Sequence, residues 1–163
     1  MPFEIPKETY TGAIRQMTLG TGDKAVTIGG EDCYPFHLFE GNTPNPPKIA
    51  FEVTDVKPET WPAAAQEPFQ DVLEDPVAWA KKCIAEHGAD MIDLELISTD
   101  PNGADRSAGD AAAAVKVVSD AIDVPLMVWG STSAEKNTEV LRVVCETCQD
   151  KPLIVGPVEE SNY

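Results

Sequence analysis

At 163 residues and 17.6 kDa the chain has the size of one domain, long enough to bury a core. Its 42% apolar and 25% charged residues exclude a disordered or collagen-like polymer. Twelve basic against 28 acidic residues leave a net charge of −16 and an isoelectric point near 4.3. Nucleic acid and an anionic membrane surface are therefore poor partners, because their phosphates would be repelled. No apolar run approaches the roughly 18 residues of a membrane span. The start Met1-Pro2-Phe3-Glu4 lacks a signal-peptide pattern, and the expected setting is the cytoplasm.

In chain order, Thr11–Leu19 and Lys24–Ile28 flank Gly20-Thr21-Gly22-Asp23 and predict a β-hairpin with a Gly-rich loop. Gly29-Gly30 ends its second strand, and Thr43-Pro44-Asn45-Pro46-Pro47 is a stiff connector unsuited to a helix or a central strand. These residues, 1–47, form an N-terminal unit, and an alternating series fills 48–163. Ile49–Val53 is a β-rich run, followed by a linker containing Pro58, Pro62 and Pro68. Asp75 as N-cap with Pro76 behind it starts a helix, and His87-Gly88 ends it. Met91–Ile97 is the next strand, and 98–103 a loop. Ala111, Ala114, Val115, Val118 and Ile122 mark the inner face of a second helix. Pro125–Trp129 is a third strand, after which Gly130-Ser131 leads to a helix with a Thr132-x-x-Glu135 capping box. Leu153–Val155 is a fourth strand, and Pro157-Val158-Glu159-Glu160 reads as the opening of another helix.

Cys33, Cys83, Cys145 and Cys148 are numerous enough for two disulfides or one metal site, but thiols of a cytoplasmic chain are usually reduced. Cys145 and Cys148 share a helical stripe with Leu141 and Val144, and Cys83 shares one with Ala80, Ile84 and His87. All three read as small buried hydrophobes. A single Cys-x-x-Cys inside a helix is a weak metal signal. Cys33 and His37 are separated by Tyr34-Pro35-Phe36 and belong to a loop.

Strict strand–helix alternation defines a parallel β/α architecture. A complete (β/α)8 barrel takes about 250 residues, so four units before Tyr163 suggest the first half of one, with the hairpin as a plug beneath it. Period-two alternation puts Ile92, Leu94 and Leu96 on one face of their strand and Asp93, Glu95 and Ile97 on the other. If the apolar faces meet the helices, Glu52, Asp93 and Glu95 point into the barrel, with Lys48 as the only base on these faces. Partners from strands outside the sequence would then balance them, the competing explanation being a polar site in the interior.

Gly29-Gly30-Glu31-Asp32, Pro35-Phe36, Phe39-Glu40-Gly41 and Asn45-Pro46-Pro47 resemble the start of the small-subunit family of the corrinoid iron–sulfur protein, also called the delta subunits of the acetyl-CoA decarbonylase/synthase complex. The resemblance continues through Val53-Thr54-Asp55, Trp61-Pro62, Gly88-Ala89-Asp90-Met91-Ile92, Ser98-Thr99-Asp100-Pro101, Pro125-Leu126 and Gly130-Ser131, and ends at Gly156–Tyr163. It implies a (β/α)8 TIM barrel, of which this sequence holds the first four units. It also implies a non-catalytic subunit that pairs with a large (gamma) subunit carrying the iron–sulfur cluster and corrinoid, and that helps to bury the corrinoid (cobalamin) at their interface. A methyltransferase and acetyl-CoA synthase would be transient partners in methyl transfer from methyl-tetrahydropterin, within the anaerobic acetyl-CoA (Wood–Ljungdahl) pathway or methanogenesis. The cysteines lack the large subunit's cluster pattern, so no iron–sulfur cluster is expected in this chain.

Barrel logic places ligand contacts on the loops that follow the strands. The candidate corrinoid contacts are accordingly Thr54, Ser98, Thr99, Asp100, Asn102, Trp129, Gly130, Ser131 and Asn162. Small polar residues there suit corrin amide side chains, and Trp129 suits the macrocycle edge. The competing local reading makes Ser131 and Thr132 helix caps and Trp129 a core residue. Two rival functions are a pterin-binding methyltransferase barrel, suggested by Gly-Ala-Asp-Met-Ile-Asp followed by Ser-Thr-Asp-Pro, and an independent flavodoxin-like binding domain.

Overall fold

The computed structural model describes residues 3–160 and 162–163; Met1, Pro2 and Ser161 lie outside the described residues. Strands β1 (Met17–Leu19) and β2 (Val26–Ile28) form the antiparallel hairpin. Both are shorter than the periodicity predicts. Gly22–Lys24 winds into a 3-10 turn before β2. Beyond the ladder, Ile14 still exchanges backbone bonds with Glu31 and Gly30 at 2.7 and 3.0 Å. The pairing thus resumes after Arg15-Gln16 and Gly29, an unequal count that interrupts the regular ladder.

Next come β3 (Ala50–Thr54), a short helix α1 (Ala63–Gln66), α2 (Pro76–His87), β4 (Met91–Glu95), α3 (Ala108–Ala121), β5 (Leu126–Trp129), α4 (Ala134–Thr147) and β6 (Leu153–Gly156). The Pro-rich linker therefore carries structure of its own: α1 and a 3-10 turn, Glu67–Phe69, bring Trp61 and Phe69 against the ring of Trp79. Asp75 caps α2 as expected, accepting the N–H groups of Val77 and Ala78 at 3.0 and 3.1 Å. Gly88 closes it at φ +68, a left-handed conformation that costs glycine little.

Two expectations about α4 are corrected. Its N-cap is Ser133, whose Oγ accepts the Lys136 N–H at 3.4 Å, rather than Thr132. The Thr132 hydroxyl donates instead to Asp100 across the neighbouring loop, so it is not free to cap. Of the two cysteines on the helix stripe, Cys148 is buried and Cys145 is exposed on the flank of α4; Cys83 is buried, and its thiol pKa is pushed up to about 11 by that burial. Cys33 and His37 lie in the loop, as predicted. A third correction concerns residues 157–160, which do not open a helix. Asn162 folds back there, its Oδ1 accepting the Glu159 N–H at 2.7 Å and its amide donating to the Pro157 carbonyl at 3.2 Å.

The strands lie in the order β3-β4-β5-β6, all parallel and in sequence order. A doubly wound, flavodoxin-like sheet reverses its strand order at a switch point; this sheet has no reversal. Register aligns Val53, Leu94, Val128 and Val155, and one residue-pair below them Phe51, Ile92, Leu126 and Leu153. These side chains join Trp79, Ala80, Cys83, Ala111, Val115, Val140 and Val144 in a single core between the sheet and one helical layer. The result is an α/β fold in which four parallel strands alternate with helices that pack on one face of the sheet. The hairpin turn lies at the N-terminal end of the sheet, where a Cβ added to Gly20 would come 2.8 Å from Pro125 Cγ.

Candidate functional site at the C-terminal rim

The same register that buries one face of the sheet lays out the other in layers. Glu52, Asp93, Met127 and Ile154 align in one layer, and Thr54, Glu95, Trp129 and Gly156 in the next. The three carboxylates therefore share the face opposite the helices, as alternation predicts. Burial and the neighbouring Glu52 carboxylate raise the pKa of Asp93. Burial, Glu52, Asp93 and Asp55 raise that of Glu95. Asp93 Oδ1 is fully covered and has no hydrogen-bond partner among the described residues. Lys48, the expected base, lies at the opposite end of β3 and pairs with Asp90 at 3.2 Å.

At the C-terminal ends of the strands the loops are knotted together by their own polar groups. Asp55, just past β3, accepts the Ser98 N–H at 3.0 Å and also the Ser98 hydroxyl. Thr54 donates to the Val56 carbonyl at 2.6 Å, and Thr99 to the Leu96 carbonyl at 2.8 Å. All four residues are buried. Asp100 accepts from Thr132 and from the Asn102 N–H; these two bonds hold its carboxyl below the usual range. Ser131 is bound to Asn137, whose amide donates to the Ser131 carbonyl at 2.7 Å. Gly130 is buried, and a Cβ there would overlap the Asn137 side chain.

The predicted contacts thus separate into three groups. Thr54, Ser98, Thr99, Gly130 and Ser131 form the buried framework of the rim. Asn162 sits in the closing turn, where its side chain holds Glu159 and Pro157. Asp100 spans two loops, while Asn102 and Trp129 are exposed. Trp129 is 42% exposed on the open face, its ring lying so close over Gly156 that a Cβ there would overlap it. It is not a core residue. Asn137 was not picked out by sequence reasoning, although it stands on the same stripe of α4 as Val140, Leu141 and Val144, where a polar residue signals a buried hydrogen-bonding task.

No described helix is long and apolar enough to cross a membrane. Among the described residues no group of three or more His, Cys, Asp or Glu side chains is arranged to hold a metal ion.

Successive parallel strands, one helical layer and a polar rim at the strand C-termini define a parallel α/β protein. Residues 16–163 match the family described as CO dehydrogenase/acetyl-CoA synthase delta subunit. The acetyl-CoA decarbonylase/synthase complex subunit delta of Methanocaldococcus jannaschii is 37% identical over 170 aligned positions, covering 100% of this chain and 42% of the relative. The subunit of the same name from Methanothermobacter thermautotrophicus is 38% identical, covering 94% of this chain and 39% of the relative. That of Archaeoglobus fulgidus is 36% identical over 94% of this chain and 35% of the relative. The chain belongs to the CO dehydrogenase/acetyl-CoA synthase delta subunit family. It spans about two fifths of the length of the curated relatives it matches.

Proposed function

We propose that this chain contributes the first four β/α units of a non-catalytic delta subunit. In this reading the subunit supports corrinoid-mediated methyl transfer from a methyl-tetrahydropterin to acetyl-CoA synthase, in the cytoplasm of an anaerobic organism. The observation that carries the reading is the family match across residues 16–163. Its partners are a large subunit that holds the corrinoid and the iron–sulfur cluster, and the enzymes of an acetyl-CoA decarbonylase/synthase complex.

The rim fits the edge of a corrinoid through a subset of its residues. A corrin presents a broad apolar ring fringed by amide side chains. Trp129 offers an exposed aromatic surface and Asn102 an exposed amide at the same end of the sheet. Thr54, Ser98, Thr99 and Ser131 have their hydroxyls committed within the protein, so they set the position of the rim. When bound, the corrinoid supplies a cobalt that carries the methyl group. This chain's share is to cover the ring edge and keep water from it, while Asp100 and Thr132 hold two of the loops together.

The test uses the delta subunit assembled with its large subunit. Trp129→Ala and Asn102→Ala should weaken corrinoid retention and slow methyl transfer while leaving subunit association intact. Corrinoid binding should also quench tryptophan emission in the unsubstituted complex and lose much of that quenching in Trp129→Ala. Unchanged retention, transfer and quenching would overturn the reading. Tight binding of methyl-tetrahydropterin by this chain alone would favour the pterin-binding enzyme instead.

A further inference from the structure

We infer that Gly156 is a positioning residue for Trp129: its missing side chain seats the indole in one orientation on the rim, ready to stack against a flat ligand ring. This role rests on the corrinoid reading above and extends it to a residue outside the proposed ring contacts. Trp129 and Gly156 are register partners on β5 and β6. The Gly130 N–H donates to the Gly156 carbonyl at 2.8 Å, and the Leu96 N–H donates to the Trp129 carbonyl at 2.8 Å. The backbone at Trp129 is therefore tied to both neighbouring strands, and only the side chain can choose a direction. On the β4 side its cross-strand neighbour is Glu95, a carboxylate that the negative face of an aromatic ring repels. On the β6 side its neighbour is a glycine.

Space, not backbone conformation, explains that glycine. Gly156 does not adopt a left-handed φ, so its backbone would accept an alanine. A Cβ there would overlap Trp129 Cζ3 outright and stand 2.6 Å from Cε3 and 3.0 Å from Cη2. Three atoms of the six-membered ring thus fill the place of the missing side chain. A glycine inside a strand weakens it, and often marks the close approach of another group. Here that group is an aromatic ring that is still 42% exposed. An exposed indole without such a seat samples several rotamers, and a ligand must order it on binding. Seated on Gly156, it presents its surface in advance.

The test follows release of the corrinoid from the delta subunit assembled with its large subunit. Trp129→Ala and Gly156→Ala should each speed release by about three- to tenfold, the range of one aromatic contact. The two effects should not add: Trp129→Ala/Gly156→Ala should release no faster than Trp129→Ala alone. The double variant has room for the new methyl group, so a clash that unfolds Gly156→Ala does not touch it. On this chain, NMR should find the Gly156 Hα upfield of an ordinary strand glycine, and Trp129→Ala should remove that ring-current shift. In Gly156→Ala the Trp129 indole N–H should gain fast motion, read from its heteronuclear NOE. If Trp129→Ala leaves release unchanged, the corrinoid reading falls. If Trp129→Ala speeds release but Gly156→Ala does not, or if the two effects add, the positioning role alone is overturned. An ordinary Gly156 Hα shift would overturn it too, whatever happens to the corrinoid.

Discussion

Asp55 and Ser98 lie 43 residues apart in sequence, yet one carboxylate takes both the backbone N–H and the hydroxyl of the serine, out of contact with solvent. This pair ties the loop after β3 to the loop after β4. A charge-assisted bond of this kind is worth about 1.5–3 kcal/mol, and removing its acceptor leaves the buried Ser98 N–H unsatisfied. Asp55→Ala should therefore destabilise the fold by about 2–3 kcal/mol in urea denaturation. Asp55→Asn, whose amide oxygen can still accept that N–H, should lose less than half as much. Equal loss in the two variants would mean that packing, not the hydrogen bonds, holds the loops.

Asn137 does the same work one strand further on. Its side chain is buried and holds Ser131 through two hydrogen bonds, and the absent side chain of Gly130 leaves room for it. Asn137→Ala should cost about 1–3 kcal/mol, through the unpaired Ser131 carbonyl. Gly130→Ala should cost about as much again by overpacking. Because the two residues meet, the double variant should lose less than the sum, a non-additivity that a thermodynamic cycle measures directly.

Much of this arrangement was legible in the sequence, for identifiable reasons. Asp75-Pro76 and His87-Gly88 bracket α2 because capping and proline chemistry act locally, within a turn of the residues that carry them. The alternation of Asp93 and Glu95 with Leu94 places the acids on the open face because a strand has a fixed period of two. What failed was decided by contacts distant in sequence. Thr132 carries a capping signature, but Asp100, 32 residues away, takes its hydroxyl and leaves the cap to Ser133. Cys145 has the spacing of a buried stripe, but it lies where the helical layer ends, so nothing described covers it. Likewise Ser98 and Thr99 are recognisable as residues of a post-strand loop, while their burial against Asp55 and Leu96 depends on how two loops meet.

The helix cap offers a milder test of the same logic. Asp75 accepts two N–H groups of the first turn of α2 from an exposed position. Asp75→Ala should cost about 1 kcal/mol, and Asp75→Ser should recover most of it, because a serine hydroxyl can accept in the same place. Thermal unfolding followed by circular dichroism would read both. A loss above about 2 kcal/mol in the alanine variant would exceed what an exposed cap contributes.

Asp93 should show the opposite sign. Burial, with Glu52 beside it, raises its pKa above that of the unfolded chain. Below the ordinary carboxylate range Asp93 is neutral in both states and contributes no penalty. As pH rises, the unfolded chain ionises first, so stability falls through that interval and the full penalty remains above the raised folded pKa. Asp93→Asn removes the ionisation, so the variant should melt at a higher temperature than the parent at pH 7. The two should converge as pH falls below about 3.5, near and under the unfolded value for aspartate. Asp100 gives the control, because Thr132 and the Asn102 N–H lower its pKa, so its ionised form stabilises the fold. Asp100→Asn should therefore lower the melting temperature at pH 7 and lose that effect in acid. Melting curves of both variants from pH 3 to pH 8 would settle the sign. A lower melting temperature for Asp93→Asn at pH 7 would mean that its carboxylate is already compensated within this chain.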